Sequence, residues 1–331
     1  MKLIIQIPCL NEAEVLPQTL SCLPRQVPGF DEVEWLVIDD GSSDNTAEVA
    51  DANGADHIIR HKRNKGLARA FMTGLHESLR LGADVVVNTD ADNQYNAEDI
   101  PKLTEPILRG EAELVVGKRP IDSHQEFSFL KKRLQRLGSW VVRQVSHTNI
   151  PDATSGFRAL TASTAQQTLV FNEYTYTLET IIQAGHRKLA ICSVPIRVNS
   201  VTRPSRLFKS IPAYIKKSAV TIIRVYVLYR PFHFFGVIGG LLVACGLGLG
   251  LRFLYFYFLG TGQGHIQSLI LMSIFFSIGF QVIMLAFIAD LFAANRKVLE
   301  DIRLAQNTPP ERISPQRRGV SKDVETDLPL R

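Results

Sequence analysis

Two carboxylates separated by one residue, Asp90 and Asp92, close the run Val85-Val-Val-Asn-Thr-Asp90-Ala-Asp92-Asn-Gln94. The valines predict a buried strand. Aspartate is depleted in strands and costly to bury unpaired, so strand formation does not account for the acids. Hard divalent cations such as Mg2+ or Mn2+ take one or two protein carboxylates and complete their shell with water and phosphate oxygens. An Asp-x-Asp at a strand end therefore points to a metal-bridged diphosphate, although a polar turn would use the same residues.

Other constellations bear on that choice. Asp39-Asp40-Gly41-Ser42-Ser43-Asp44-Asn45-Thr46 lies between a strand-like run and a helical one. Gly and Ser suit a tight turn, and Asp44 or Asn45 could cap the helix that starts near Thr46. That leaves Asp39 and Asp40, one of which could accept hydrogen bonds from a base or a ribose. Pro8-Cys9-Leu10-Asn11-Glu12 ends the first apolar run in the same manner. Asn64-Lys65-Gly66 opens a helical stretch containing Ala68, Ala70 and Gly74, small residues that permit close packing on a sheet, and its free N–H groups can face an anion. Asp152 is either a base or the anchor of the turn before Ser155 and Gly156. The eight histidines form no spaced ligand pair, which argues against zinc. Ser155 lacks the Gly-x-Ser-x-Gly frame of a nucleophile elbow.

Elements able to position these residues are visible in the pattern. Short β-rich runs at 3–7, 34–38, 57–60, 85–89 and 114–117 alternate with helical patterns at 14–23, 46–53, 66–81 and 97–109. That alternation predicts an α/β domain with a mostly parallel sheet. Ligands of such sheets gather at the carboxyl ends of the strands, so residues 8–12, 39–44 and 90–94 are expected to face one crevice.

Composition adds a second part. Of 331 residues 46% are hydrophobic and 21% charged, ordinary globular values, but nearly all the long apolar stretches follow residue 230. Segments 232–259 and 267–290 can each span a bilayer core of roughly 30 Å at ~1.5 Å rise per residue. Together they make a hairpin. Residues 211–231 carry Lys216, Lys217 and Arg224 among apolar positions, the pattern of an amphipathic helix at a membrane surface. Arg230 precedes the first span, and Arg296, Lys297 and Arg303 follow the second. The connecting loop has no Lys or Arg, so the positive-inside rule places the amino-terminal domain and both chain ends in the cytoplasm.

The amino-terminal apolar run is too short for a signal-peptide core, so export of the first domain is not expected. Gly236 with Gly240, and Gly246 with Gly250, are spaced for close helix approach, in pairing or in a homo-oligomer. Residues 304–331 read as a disordered tail. The net charge of +5 is modest, and much of the positive charge sits beside the apolar segments, which favours anionic headgroups over nucleic acid, for which no motif is present. The four cysteines, at 9, 22, 192 and 245, lack metal spacing and fit a reduced compartment.

The ordered series Pro8…Asn11-Glu12, Asp39-Asp40-Gly41-Ser42, Asn64…Gly66, Asp90-Ala-Asp92…Gln94, Gly117…Arg119 and Asp152…Ser155-Gly156-Phe157-Arg158 resembles the family 2 glycosyltransferases. More narrowly, it is similar to their dolichyl-phosphate mannose synthase branch. The resemblance covers roughly residues 1–210, and the two-span tail is similar to that of membrane-anchored members. It implies a GT-A, Rossmann-like domain at 1–210 and an inverting transfer of one sugar from a GDP- or UDP-linked donor to a dolichyl or undecaprenyl phosphate, with Mg2+ or Mn2+. By position, Pro8, Asn11, Glu12, Asp39 and Asp40 would line the nucleotide pocket, and Asp90, Asp92 and Gln94 would hold the metal. Arg119, helped by Lys131, Lys132 or Arg133, would meet the acceptor phosphate, Asp152 would be base or positioner, and Arg203 would close on the donor phosphates. The other readings are a membrane glycosyltransferase acting on a lipid or glycan hydroxyl, which would need a base, and a non-catalytic scaffold that keeps the fold.

Overall fold

The structure is a computed structural model that describes residues 1–120, 139–170, 176–199, 220, 223–224, 226–260 and 262–307. Lys131, Lys132, Arg133, Arg203 and most of the proposed surface helix at 211–231 lie outside the described residues. Within that segment, positions 220, 223, 224 and 226–229 are helical.

The strands are β1 (Lys2–Cys9), β2 (Glu32–Asp39), β3 (His57–Arg60), β4 (Val85–Asn88), β5 (Leu114–Lys118), β6 (Arg158–Thr161) and β7 (Ile191–Pro195). Among the described residues they form one sheet in the order β3-β2-β1-β4-β6-β5-β7. β1 pairs in parallel with β2 and β4, as β2 does with β3 and β5 with β7. Only β6 runs antiparallel to its neighbours. The sheet is thus mostly parallel, as the sequence predicts, with one reversed strand that the pattern did not reveal.

Side chains alternate across the pleat. Ile4, Leu36, Ile38, Val86, Leu114 and Leu160 face one core; Leu3, Ile5, Ile7, Val37, Val85 and Val87 face the other. Burying a side chain of this size contributes roughly 1.5–3 kcal/mol, so a one-residue register slip would forfeit a whole face.

The helices on the first 120 residues are α1 (Leu16–Cys22), α2 (Thr46–Ala52), α3 (Leu67–Arg80) and α4 (Ile100–Leu108). They fall within the predicted patterns, and proline in the first turn of α1 and α4 suits positions whose N–H would be unpaired. Farther on come α5 (Ala162–Gln167) and α6 (Thr177–His186). Helix α3 lies so close to the sheet that a methyl on Gly74 would stand 2.4 Å from Gln6 Oε1. The small residue there is a packing requirement.

The hairpin is α7 (Pro231–Phe258) and α8 (Ile266–Asn307), both long and apolar enough to cross a membrane. Helix α8 runs past the expected end at 290 and through 304, so no irregular tail begins before Asn307. The α/β domain docks on the hairpin's flanks. Arg296 donates to the Tyr229 hydroxyl at 2.9 Å, Tyr229 stacks on His186, and Arg230 bonds His147.

Of the glycines suggested for helix contact, Gly246 and Gly250 make it: a methyl would stand 3.1 Å from Phe276 on the first and 2.6 Å from Met272 Sδ on the second, whereas Gly240 faces nothing within 4 Å. The spacing missed Gly239, where a methyl would stand 2.6 Å from Ile283 and 3.0 Å from Gly279 O. Gly239→Ile should therefore lower the thermal midpoint of the detergent-solubilised protein and Gly240→Ile should not. Equal midpoints for the two variants would contradict this pairing.

Candidate active site

The strand order reverses between β1 and β4, and the carboxyl ends of those two strands open the crevice expected at such a switch point. Cys9 is in register with Asp39, so the loops after β1 and β2 emerge side by side. They are stitched together. Asn11 N–H donates to Ser42 Oγ at 2.9 Å, Glu12 N–H to Thr46 Oγ1 at 2.9 Å, and Ser43 N–H to Asn11 Oδ1 at 2.8 Å. Asn11 has φ 56°, a left-handed conformation that asparagine tolerates better than most residues, and its amide fixes the turn from outside. Of the two residues the sequence offered as cap for α2, Asp44 does the work, accepting from Thr46 N–H at 3.1 Å, while Asn45 makes no side-chain cap.

Asp39 and Asp40 are both buried, with different duties. Asp40 Oδ1 meets His61 Nδ1 at 2.7 Å and Lys65 N–H at 3.0 Å, and Oδ2 accepts from Gly66 N–H at 2.8 Å. Its carboxylate is committed to the loop that leads into α3 and ties that loop to the end of β2. Asp39 Oδ1 accepts from Ser42 N–H at 2.8 Å, while Oδ2 makes no hydrogen bond and lies 3.2 Å from Arg60 Nε. A ligand reaching Oδ2 would have to displace the Arg60 guanidinium, which is half exposed.

Beyond β4 the chain turns at Asn93, also left-handed at φ 54°. Gln94 N–H donates to Asp92 Oδ1 at 3.1 Å, an Asx turn that orients Asp92. Asn199 Nδ2 ties this loop down through Asn93 O at 2.8 Å, and the backbone N–H of Asn199 reaches Gln94 O at 2.9 Å. Thr19 Oγ1 donates to Ala91 O at 2.6 Å, which fixes α1 to the same turn. Asp90 is half-buried and receives no hydrogen bond from the described residues. Burial first, then the Asp92 carboxylate, pushes its pKa up to about 7, against the pull of Arg119 and Arg158. Two carboxylates that repel each other, one of them without a donor, form a site that a cation would relieve. Among the described residues no group of three or more His, Cys, Asp or Glu could hold a metal, so any ion here would take only these two acids, with Gln94 in reach by sequence.

That raised pKa has a sign. In the metal-free protein Asp90 keeps its proton up to about 7, whereas an ordinary carboxyl loses it near 3.8. Between those values the folded state binds more protons, so stability falls as pH rises from about 4 to about 7. Thermal unfolding in EDTA across that window should show the decline, and Asp90→Asn should flatten it. An identical slope in both proteins would rule out Asp90 as the source.

Arg119, one residue past β5, forms a fork on Asp152, with Nε to Oδ2 at 2.7 Å and Nη2 to Oδ1 at 3.0 Å. Nη2 also reaches Thr154 Oγ1 at 2.8 Å. Burial would raise the pKa of Asp152, but its bonds to Arg119 hold it below the ordinary carboxyl value. Among the described residues Nη1 of Arg119 has no acceptor, which leaves it available to an anion.

Gln6, Asn88 and Tyr95 matter here and are absent from the motif series, whereas Arg158 closes its last motif. Gln6, Asn88 and Arg158 share one row across β1, β4 and β6. All three are fully buried. Gln6 Nε2 donates to Asn88 Oδ1 at 2.9 Å, and Arg158 is satisfied by Ser155 O, Thr177 O and the Thr180 hydroxyl. Tyr95, fully covered, accepts from Gly156 N–H at 2.9 Å and stacks on Phe157. Burial, and then Asp90, pushes the Tyr95 phenol up to about 12. The available signal was a polar residue inside an apolar strand, Gln6 among isoleucines and Asn88 after three valines, which needs a buried partner.

Comparison with known proteins bears on the family and the fold. Residues 4–168 match the model of the glycosyl transferase family 2. An undecaprenyl-phosphate mannosyltransferase of Micrococcus luteus is 34% identical over 170 residues, 50% of this chain and 68% of that protein. A UDP-N-acetylglucosamine–dolichyl-phosphate N-acetylglucosaminyltransferase of Methanococcus voltae is 32% identical over 213 residues, 58% of this chain and 83% of that protein. Among solved structures, glucosyl-3-phosphoglycerate synthase of Mycobacterium tuberculosis, crystallised with Mn2+, UDP and glucosyl-3-phosphoglycerate, superposes with a TM-score of 0.52 at 20% identity, covering 68% of this chain and 78% of that one. That likeness shows the fold, a GT-A-like α/β sheet. With the motif loops gathered at one switch point and relatives of this kind, the chain belongs to glycosyl transferase family 2 and is a glycosyltransferase.

Proposed function

We propose that the enzyme transfers one sugar, with inversion, from a nucleoside diphosphate sugar to a polyprenyl phosphate at the cytoplasmic membrane surface. The observation that carries the reading is the Asp90–Asp92 pair, in which, among the described residues, one acid lacks any donor and the neighbouring Arg119 has an unused N–H edge. Relatives named for undecaprenyl-phosphate and dolichyl-phosphate acceptors support the substrate class. The hairpin and its basic flanks support a site at headgroup height with both chain ends cytoplasmic.

Asp90 and Asp92, with Gln94, would hold a Mg2+ or Mn2+ ion, whose use is supported by the Mn2+ in the structurally similar synthase. The donor set fits, because two carboxylates with phosphate oxygens and water complete the shell of a hard cation. When bound, the ion neutralises charge that builds on the departing nucleoside diphosphate. The chain's own groups do the rest. Asn11, Glu12 and Asp39 border the donor side, Pro8 and Asp40 support it from beneath, and Arg203 and Lys131–Arg133 keep the donor- and acceptor-phosphate roles that the resemblance gives them. Arg119 offers its free edge to the acceptor phosphate, orienting one oxygen for attack on the anomeric carbon while offsetting its charge. A phosphate oxygen is already anionic, so no proton need be removed.

Asp152 favours this acceptor over a hydroxyl one. A hydroxyl acceptor needs a base, and the Asp152 carboxylate is spent on the Arg119 fork with its pKa held down. Membranes carrying the enzyme should label polyprenyl phosphate, and leave polyprenol and diacylglycerol unlabelled, when supplied with Mn2+ and GDP- or UDP-linked sugars. Labelled diacylglycerol with no labelled polyprenyl phosphate would overturn the reading. The same panel, read by thermal shift, names the nucleotide, since a bound donor stabilises the fold in proportion to its affinity.

A further inference from the structure

Among the described residues Asp90 has no hydrogen bond to aim it, yet a cation site requires its oxygens to point in a fixed direction. Gly156 borders it. A methyl built there would stand 3.0 Å from Asp90 Oδ1, 3.2 Å from Oδ2 and 2.9 Å from the Tyr176 hydroxyl. Both carboxylate oxygens therefore border the space that the absent side chain of Gly156 leaves open, and any larger residue there would crowd them.

Gly156 is itself held on both sides. Its N–H donates to Tyr95 Oη at 2.9 Å, and its carbonyl accepts from Asn88 Nδ2 at 2.9 Å. The second hydrogen of Asn88 Nδ2 goes to Tyr176 Oη at 2.9 Å, and Asn88 Oδ1 accepts from Gln6 Nε2. Every hydrogen-bonding atom of the Asn88 amide is thus committed. The two phenols are pinned in turn, Tyr176 stacked on Phe71 with centroids 3.9 Å apart and Tyr95 stacked on Phe157 at 5.0 Å. Arg158 holds the preceding carbonyl of Ser155 from the buried side.

We propose that Gly156 is a positioning residue for cation binding. Its backbone, clamped between Tyr95 and Asn88, is the wall that sets the Asp90 carboxylate by shape rather than by hydrogen bonding. The inference rests on the metal reading above. It explains why the row Gln6–Asn88–Arg158 crosses the sheet beneath the site, since these residues position the wall without touching a substrate.

The test is a Mn2+ titration of the full-length protein in detergent, followed by electron paramagnetic resonance, alone and with UDP or GDP. The wild type should bind one Mn2+ in the presence of nucleotide. Gly156→Ala should weaken Mn2+ binding by about tenfold or more, the scale found when the supports of metal ligands are removed. Its half-saturating Mn2+ for turnover should rise in step, with kcat at saturating metal much less affected. Tyr95→Phe adds no volume and removes only the acceptor of the Gly156 N–H, so it should weaken binding less, and it carries the test if Gly156→Ala does not fold.

A double variant separates positioning from mere damage. Tyr176→Phe added to Gly156→Ala removes the hydroxyl that the new methyl would strike and should restore thermal stability while Mn2+ affinity stays low. Recovery of both together would overturn the proposal, as would wild-type affinity in Gly156→Ala and Tyr95→Phe. A wild type that binds no Mn2+ would overturn the metal reading and this inference with it. A wild type that binds beside variants that bind equally well overturns the inference alone.

Discussion

Asp92→Asn should abolish sugar transfer and leave the protein folded. The Asp92 oxygen that accepts from Gln94 N–H has a counterpart in asparagine, so the turn survives and only the charge is lost. What disappears is half of the negative charge that would hold a cation against the donor diphosphate. Removing one electrostatic stabiliser of a leaving group typically costs 10²–10³ in rate, and losing a metal with it costs more, so kcat/KM is expected to fall roughly 10³-fold or further. That corresponds to about 4 kcal/mol of transition-state stabilisation. Turnover of labelled donor at saturating Mn2+, compared with the wild type at equal thermal midpoint, is the measurement. A variant that kept about a third or more of wild-type activity would remove the metal from the proposal and revive the reading of the chain as a scaffold that has kept the fold.

The loops that build this site were legible because each is local in sequence. Asn11-Glu12, Asp39-Asp40 and Asp90-Ala-Asp92 each follow an apolar run, and the rule for parallel sheets then brings all three to one end. What stayed hidden depends on pairing between distant segments. Strand β6 is four residues long and begins with arginine, so nothing in its periodicity announces a central strand between β4 and β5. The commitment of Asp40 to the loop before α3 and the covering of Asp39 by Arg60 both join residues about twenty positions apart. The hairpin was legible as two apolar segments, but which glycines meet depends on helix rotation, which composition does not encode. Gly239 and Gly279 make the close approach while Gly240 stands open. The row Gln6–Asn88–Arg158 illustrates a general route. A polar side chain in an apolar strand has no local explanation, and its partner must be sought across the sheet.

Asp152→Ala should destabilise the fold and silence the enzyme together, on the proposal that Asp152 is an anchor rather than a base. The Arg119–Asp152 pair is deeply placed, with side-chain exposures of 14% and 1%. Removing one partner of a buried pair leaves a charge without compensation, typically at a cost of roughly 3–5 kcal/mol. Adding Arg119→Met to Asp152→Ala should recover much of that stability, since the stranded guanidinium goes too, but no activity, since the acceptor phosphate then meets no arginine. Arg119→Lys should fail as well, because an ammonium keeps the charge but cannot hold Asp152 with one edge and present another. The pH dependence separates anchor from base. The pKa of Asp152 is depressed, so the stabilisation it provides is complete above the ordinary carboxyl value of 3.8 and is lost only as pH falls through the lowered value. Above the ordinary carboxyl value Asp152 therefore does not titrate, and the pH–rate profile of the wild type there should carry no limb that Asp152→Glu displaces. A base of depressed pKa would be a weak acceptor of protons from a hydroxyl, whereas an anchor with that pKa is a permanent anion, which is what a buried arginine aimed at a phosphate needs behind it.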